Sequence, residues 1–371
     1  MNVLVNAINI RNGGGKQVAD SICKSLSCFP EHHFIVVLST HLRDLLDERM
    51  AYPSNVELYV HTISNRLSTL LFGKDSFMDR LVKTHRVDAV LTVFGPSRWI
   101  PKVTHLSGFA RAQLLDLNTP YYKNTTFRER LFNRIVKWSF KRCSNNYWTE
   151  SEFISNRLRV LFPNKRVYTV PNTYNQVFLH PNDWTNPPLA SFPGATILVI
   201  TGVEMHKNAS ILLPISRYLQ DEFPDFKFRF IVSMQREAFV AVPNDLIEHF
   251  VFIGEVGIND LPSLYSQSDI LFQPSLLECF TATYPEAMKM RVPILTTDLV
   301  FSHSICGDAA MYYSCLDHVE AAQKLYSLAT EHYLRKSLLD KSDVRCKAFI
   351  SAEERTSRLI GILEELKEIE Q

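Results

Sequence analysis

The 371-residue sequence predicts an α/β protein of two doubly wound domains, on three observations. The length is more than one ordinary core needs. Short β-rich runs alternate with helical patterns, which implies a parallel sheet covered by helices. That alternation occurs twice, on either side of a proline-rich break.

In the first half, strands are expected at Val3–Ile8, Phe34–Ser39, Val56–Val60, Ala89–Phe94, Asn146–Thr149 and Val167–Val170. Helices are expected at Lys16–Leu26, Arg66–His85, Phe127–Arg142 and Glu152–Phe162. Between Pro171 and Gly194 lie Pro171, Pro181, Pro187, Pro188 and Pro193, a density that neither helix nor sheet tolerates. The alternation then restarts. Strands are expected at Thr196–Thr201, Phe228–Val232, His249–Ile253, Ile270–Gln273, Pro293–Thr296 and Ala310–Tyr313. Helices are expected at Asn208–Gln220, Leu261–Ser266, Tyr284–Met290 and His318–Tyr333, with a last amphipathic helix from Glu353 to Lys367. The domains are therefore 1–175, a linker 176–194, 195–350, and a C-terminal helix 351–371 that is free to return to the first domain. Two such sheets with their carboxyl edges facing across a cleft suit an enzyme with two substrates.

Composition narrows the setting. Hydrophobic residues make up 46% and charged residues 21%, ordinary globular values. No apolar run approaches the ~18 residues of a membrane span. Met1–Ile10 lacks a basic leader and reads as a first strand, not a signal peptide. Seven scattered cysteines without a C-x-x-C pair point to a reducing, cytoplasmic setting. The twelve histidines form no H-E-x-x-H or H-x-H cluster, so no metal site is expected. The His32-His33 pair reads as a surface turn rather than a metal site. Residues 1–185 hold 24 Lys and Arg against 14 Asp and Glu, a net +10. Residues 186–371 hold 16 against 25, a net −9. A basic first half suits an anionic partner, a phosphorylated lipid or membrane surface; no motif supports nucleic acid.

Two motifs carry chemistry. Asn12-Gly13-Gly14-Gly15-Lys16 follows the first strand and opens a helix, where bare amides favour an anion. It matches neither a dinucleotide fingerprint nor a P-loop. A tight strand-to-helix turn explains it equally well. The second is Gln273-Pro-Ser-Leu-Leu-Glu278-Cys-Phe-Thr-Ala-Thr-Tyr-Pro-Glu286-Ala-Met288. Two carboxylates sit eight residues apart, one in a loop after a strand and one opening a helix. Such carboxylates accept hydrogen bonds from a ribose or hexose diol, and the intervening Phe280, Thr281, Ala282 and Thr283 amides can face a pyrophosphate. The alternative is a helix-start acid favoured by the helix dipole beside a solvated loop acid.

This run resembles the E-x7-E motif of the retaining glycosyltransferases of family 4, which have the GT-B fold of two Rossmann-like domains. Ile253-Gly254 through Tyr265, Ser268-Asp269 and Pro274-Ser275 follow the family's approach to the motif. Glu286 through Pro293 and Gly307-Asp308-Ala309-Ala310 follow its exit, and Gly202 through His206-Lys207-Asn208 resembles its phosphate loop. In the first half, Thr149-Glu150-Ser151, Val170-Pro171-Asn172 and the Gly13–Gly15 turn match.

The resemblance implies a nucleotide-diphosphate sugar as donor, with no further cofactor and no metal. Lys207 would neutralise the pyrophosphate, Glu286 would hold the ribose, and Glu278 would lie against the transferred sugar. His206, Gly14 and Gly15 would add to the donor site. The acceptor would be a saccharide, lipid-linked, in bacterial surface polysaccharide synthesis. Two other readings share the fold, a nucleotide-sugar epimerase and an inactive partner subunit. Where the family places an arginine after the phosphate-loop glycine, this chain has Val203, so His206 or Arg236 would have to supply a second cation. Cys279 and Thr281 replace glycines, which implies a tighter sugar pocket. His105, read as ending a strand that faces the cleft, is the further catalytic candidate; the alternative is a structural histidine. No D-x-D triplet is present, consistent with Lys207 and amides doing the work of a metal.

Phe127, Leu131, Ile135 and Trp138 recur at helical spacing, with seven basic residues from Lys123 to Arg142 and only Glu129 opposing. One reading is a helix that covers the sheet. The other, which the charge favours, is a face lying on anionic membrane at the inner surface.

Overall fold

A computed structural model of the protein describes residues 1–11, 13–42, 54–62, 69, 71–115, 117–187 and 189–370. Asn12 of the glycine turn, and the portion of the expected helix Arg66–His85 at 66–68 and 70, lie outside them. The chain forms two compact units. The first is 1–116, 125–175 and 350–371; the second is 117–124 and 176–349.

The first unit holds a seven-stranded parallel sheet: β1 (Asn2–Ala7), β2 (His33–Leu38), β3 (Val56–Val60), β4 (Ala89–Thr92), β5 (Thr104–Gly108), β6 (Asn146–Thr149) and β7 (Arg166–Thr169). Its order is β3-β2-β1-β4-β5-β6-β7, so the topology reverses between β1 and β4. Its inner strands are apolar on both faces because both are covered. Val3, Val5, Phe34, Val36 and Leu38 point into one core; Leu4, Ile35, Val37 and Val90 point into the other. Helix α1 (Gly13–Ser25) closes the first core through Val18, Ala19 and Ile22. Helix α2 (Ser76–Thr84) closes the second through Met78 and Leu81. Asp75 starts α2 by accepting from the amides of Phe77 and Met78 at 3.1 and 3.2 Å.

Helix α3 (Phe127–Cys143) begins with a reciprocal cap between Thr126 and Glu129. It does not cover the sheet with the stripe that its spacing singles out. Val136, Ser139, Phe140 and Cys143 face inward, while Phe127, Leu131, Ile135 and Trp138 are exposed, Phe127 by 78%. Both sets recur at helical spacing, so periodicity alone cannot choose between them. Helix α4 (Glu152–Leu161), capped by Ser151, follows.

The second unit holds a six-stranded parallel sheet: β8 (Ala195–Val199), β9 (Phe228–Val232), β10 (Phe250–Phe252), β11 (Ile270–Gln273), β12 (Ile294–Thr297) and β13 (Met311–Tyr313). The order β10-β9-β8-β11-β12-β13 reverses between β8 and β11. Its helices are α5 (Leu212–Glu222), α6 (Leu261–Ser266), α7 (Thr283–Lys289), α8 (Val300–Cys306), α9 (His318–Thr330) and α10 (His332–Cys346). The helix expected over His318–Tyr333 is thus two helices. The chain turns extended at Glu331, and Arg335 donates to the end carbonyls of Leu328 and Ala329 at 3.1 and 2.9 Å. Helices α8 and α10 carry no clean apolar period in sequence and were not expected. The proline-rich stretch runs along this unit: Thr185 bonds Asn259, and Ala190 accepts from Arg229.

The last helix, α11 (Ala352–Glu370), belongs to the first unit. Its Leu359, Ile360, Leu363 and Leu366 complete the core that α1 covers.

Candidate functional site

In a doubly wound sheet the loops at the carboxyl ends of the two strands flanking the reversal splay apart and leave a crevice. In the second unit those strands are β8 and β11. The loop after β8 carries Gly202 to Asn208; the loop after β11 carries Glu278 and leads into α7 with Glu286. The topology therefore brings the two motifs to one point, although 71 residues separate Lys207 from Glu278.

The contacts are direct. Lys207 Nζ lies 2.6 Å from Glu278 Oε1, an ion pair with both side chains largely shielded from solvent. A short 3₁₀ turn, Met205–Lys207, presents the lysine, and Asn208 ends it in the left-handed conformation at φ 53°. The Leu276 amide donates to the His206 carbonyl at 2.7 Å, tying the two loops together. Thr296 and Thr297 on β12 brace the β11 loop by donating to the carbonyls of Gln273 and Ser275 at 2.9 and 2.8 Å.

Glu286 is fully buried in α7 and accepts at Oε2 from the Tyr265 hydroxyl at 2.9 Å. Burial, reinforced by the Glu286 charge and this hydrogen bond, holds the Tyr265 phenol well above its usual range, so it remains a donor. Tyr265 lies in the sequence run that leads to the motif, but nothing in its spacing marks it as a partner of Glu286. Tyr121, from the 117–124 excursion, is a second residue that the sequence did not single out. Its ring meets His206 edge-on at 6.1 Å.

Burial lowers the His206 pKa, outweighing the opposing pull of Glu278. The imidazole is therefore neutral at pH 7 and does not replace the arginine missing at Val203. Arg236 is exposed, in the turn after β9 at the same carboxyl edge. Phe280 and Ala282 are half-buried, and Thr281 is buried. The hydroxyls of Thr281 and Thr283 and the Asn208 side-chain amide are buried with no hydrogen-bond partner among the described residues. Polar groups in that state are what a polar ligand would satisfy.

In the first unit, Gly13, Gly14 and Gly15 open α1 beyond β1, beside the reversal between β1 and β4. Gly13 has φ +63°, which favours glycine, and a side chain on Gly14 would meet nothing within 4 Å.

His105 is placed differently from its expected position. It is the second residue of β5, not the last, and so lies at the amino end of a parallel strand, away from the carboxyl edge. Its Nδ1 donates to the Cys143 carbonyl at 2.9 Å, and its Nε2 accepts from the Thr92 hydroxyl at 2.8 Å. Burial pushes its pKa down to about 4, against partial opposition from the Cys143 carbonyl. A neutral, fully hydrogen-bonded ring of this kind ties β4, β5 and α3 together, which is a structural task.

Residues 194–331 match the family described as Glycosyl transferases group 1. The O-antigen chain mannosyltransferase RfbU of Salmonella typhimurium is 24% identical over 237 residues, 60% of this chain. The match spans 62% of that protein's own length. A glycosyltransferase from Rickettsia africae superposes with a TM-score of 0.69 at 15% identity, covering 98% of both chains. Alr3699/HepE from Anabaena, solved with UDP and glucose, gives 0.67 at 12% identity, covering 98% of this chain and 100% of that one. At such identities the solved structures speak to the fold, which is GT-B. The second unit thus carries the domain of the group 1 glycosyltransferases, in a chain whose fold is GT-B.

Proposed function

We propose that the protein transfers a hexose, with retention of configuration, from a nucleotide-diphosphate sugar to a lipid-linked saccharide in bacterial surface polysaccharide synthesis. The observation that carries this reading is the convergence of Lys207, Glu278 and buried Glu286 at the reversal point of the second sheet. RfbU is named for mannosyl transfer to O-antigen, and Alr3699/HepE was solved with UDP, which supports this substrate class.

The Lys207–Glu278 pair suggests how the donor enters. A diphosphate carries more charge than one carboxylate and competes for the ammonium. Lys207 then turns to the pyrophosphate, and Glu278 is released to accept from sugar hydroxyls. Glu286, oriented by Tyr265, accepts from the ribose diol. Amides from Phe280 to Thr283 supply further donors, so the scheme needs no metal. No protein nucleophile is assigned. His105 is withdrawn as a catalytic group because its ring is occupied.

Calorimetry with UDP and GDP in EDTA tests the scheme. One nucleotide should bind in the chelator, and loss of binding on chelation would overturn the metal-free reading. Glu286→Gln should weaken nucleotide affinity about tenfold or more, since a hydrogen bond to a charged group contributes about 1.5–3 kcal/mol. Glu278→Gln should keep nucleotide affinity and slow transfer. The second reading, an inactive partner subunit, draws on Val203 and the neutral His206. Nucleotide binding without turnover of any donor would favour it.

Placement at the inner membrane surface is part of the proposal. Its support is the exposed apolar stripe of α3, flanked by exposed Arg128, Arg130, Arg134, Lys137 and Lys141. Among the described residues no helix is long and apolar enough to cross a membrane.

A further inference from the structure

At the amino edge of the first sheet, His33, Glu57 and His85 bring three potential ligand atoms within 4.8 Å of one another. We propose that these residues form a binding site for a divalent transition-metal ion, separate from the donor site and independent of the glycosyltransferase reading.

The fold builds the cluster from three segments. His33 opens β2. Ile35, on the same face of β2, is the register partner of Glu57 on β3, so His33 and Glu57 share a face. Helix α2 covers that face, and His85 caps its C-terminal end, donating its amide to the Leu81 carbonyl at 3.0 Å. Asn2 holds this turn by donating to the His85 carbonyl at 2.7 Å. Glu57 Oε1 then lies 3.1 Å from His33 Nε2 and 3.5 Å from His85 Nδ1.

Tyr59 makes the cluster more than a chance gathering. Two residues along β3 from Glu57, its hydroxyl donates to Glu57 Oε2 at 2.8 Å. Having spent its one proton there, the hydroxyl can only accept from His85 Nε2, 3.1 Å away. The His85 proton is thus on Nε2, and the Nδ1 lone pair faces a carboxylate oxygen. Two acceptors at that separation repel unless a cation lies between them. Either a second proton on the ring or a metal ion meets the need. A ligating histidine whose other nitrogen is held by an outer hydrogen bond is the usual arrangement around a bound metal.

Two imidazoles and one carboxylate are the donor set of zinc and its neighbours, with a fourth position left for water. Ligand atoms at ~2.1 Å from a tetrahedral ion lie about 3.4 Å apart, which the 3.1 and 3.5 Å contacts of Glu57 already approach. The ligand atoms all lie within 4.8 Å of one another, so the widest separation has to close by at most about 1.4 Å, through rotation of the partly exposed His33 and Glu57 side chains. The ion would join β2, β3 and the end of α2. It would not meet the reaction, because substrates of such sheets bind at the opposite, carboxyl edge.

The test uses the untagged full chain, stripped with EDTA and titrated with Zn²⁺. Bound metal is counted by equilibrium dialysis, and the thermal midpoint is followed with and without Zn²⁺. The expected result is one ion per chain, a raised midpoint that EDTA reverses, and a Co²⁺ form with tetrahedral visible absorption. His33→Ala and His85→Ala should each weaken binding at least tenfold. Tyr59→Phe, which keeps every ligand, should weaken it about 10–100-fold. Glu57→Gln conserves shape and guards against misfolding of the alanine variants; it too should lose the ion. A wild-type midpoint unmoved by Zn²⁺, or unchanged Zn²⁺ binding in Glu57→Gln, would overturn the proposal.

Discussion

His105 shows how a residue can look catalytic in sequence and be structural in space. Asn6 donates to the Thr92 hydroxyl, Thr92 to His105, and His105 to the Cys143 carbonyl, so each member of the chain is satisfied. A depressed folded-state pKa means that the unfolded chain takes up the proton first on acidification. Stability is therefore complete above the unfolded value near pH 6.5 and falls as pH drops toward about 4. This one ring accounts for up to about 3 kcal/mol across that window. His105→Gln should flatten the pH 4–6.5 portion of a urea-denaturation series. It should also leave turnover at pH 7.5 within a few-fold of wild type once stability is restored by temperature. A loss of turnover of a hundredfold or more would return His105 to the catalytic list.

Among the elements, α3 has the unusual property of showing apolar residues on two faces. The inward face, Val136 with Phe140, secures it to the sheet, and Phe109 packs on Phe140 at 4.9 Å. The outward stripe is left to solvent, and Arg142 lies over Trp138 at 4.4 Å. On the proposed membrane placement, this aromatic and basic stripe would seat in the headgroup region of an anionic bilayer. Each basic residue near such a surface contributes about 1 kcal/mol, and the attraction fades over a Debye length of ~8 Å at physiological salt. Vesicle co-sedimentation should show binding to anionic but not neutral lipid. Changing Arg128, Arg130, Arg134 and Lys137 to Gln should abolish the salt-sensitive part. Changing Leu131 and Trp138 to Ser should remove what remains at high salt. Equal sedimentation of wild type and both variants would exclude this helix as the contact.

For the molecule as a whole, the last 22 residues complete the first unit after the chain has built the second. Leu359, Leu363 and Leu366 are fully buried, and Arg355, also buried, donates to the Asn172 side chain. Lys367 pairs with Asp88 at 2.7 Å, and Glu370 accepts from Asn146 at 3.2 Å. Leu363→Ala should cost about 2–5 kcal/mol, the range for a leucine removed from a packed core. Urea unfolding followed by tryptophan fluorescence reads the effect, since Trp99, Trp138 and Trp148 lie in the first unit. A shift below about 0.5 kcal/mol would mean that the helix is peripheral to that core.

Strand periodicity, the proline-rich break and the E-x7-E run were legible because each depends on neighbours in the chain. Buried parallel strands need continuous apolar runs, and Val3–Val5 or Ile270–Phe272 can be read as such from composition alone. The motif residues Lys207, Glu278 and Glu286 were legible through resemblance, and their ion pair and Tyr265 contact were not. Contacts between residues distant in sequence depend on strand order, and order is set by packing that no local pattern records. For the same reason His105 was assigned to the wrong end of its strand. Its surroundings are polar and apolar by turns, and only the pairing of β5 with β4 and β6 decides which end meets the ligand edge. The cluster of His33, Glu57 and His85 was beyond sequence reading altogether, since its members lie 24 and 28 residues apart along the chain. Sequence determined which residues are apolar, which are charged and where the chain turns. Tertiary structure alone decided which of the two apolar faces of α3 is buried and which unit α11 completes, because burial is a property of what stands opposite a residue.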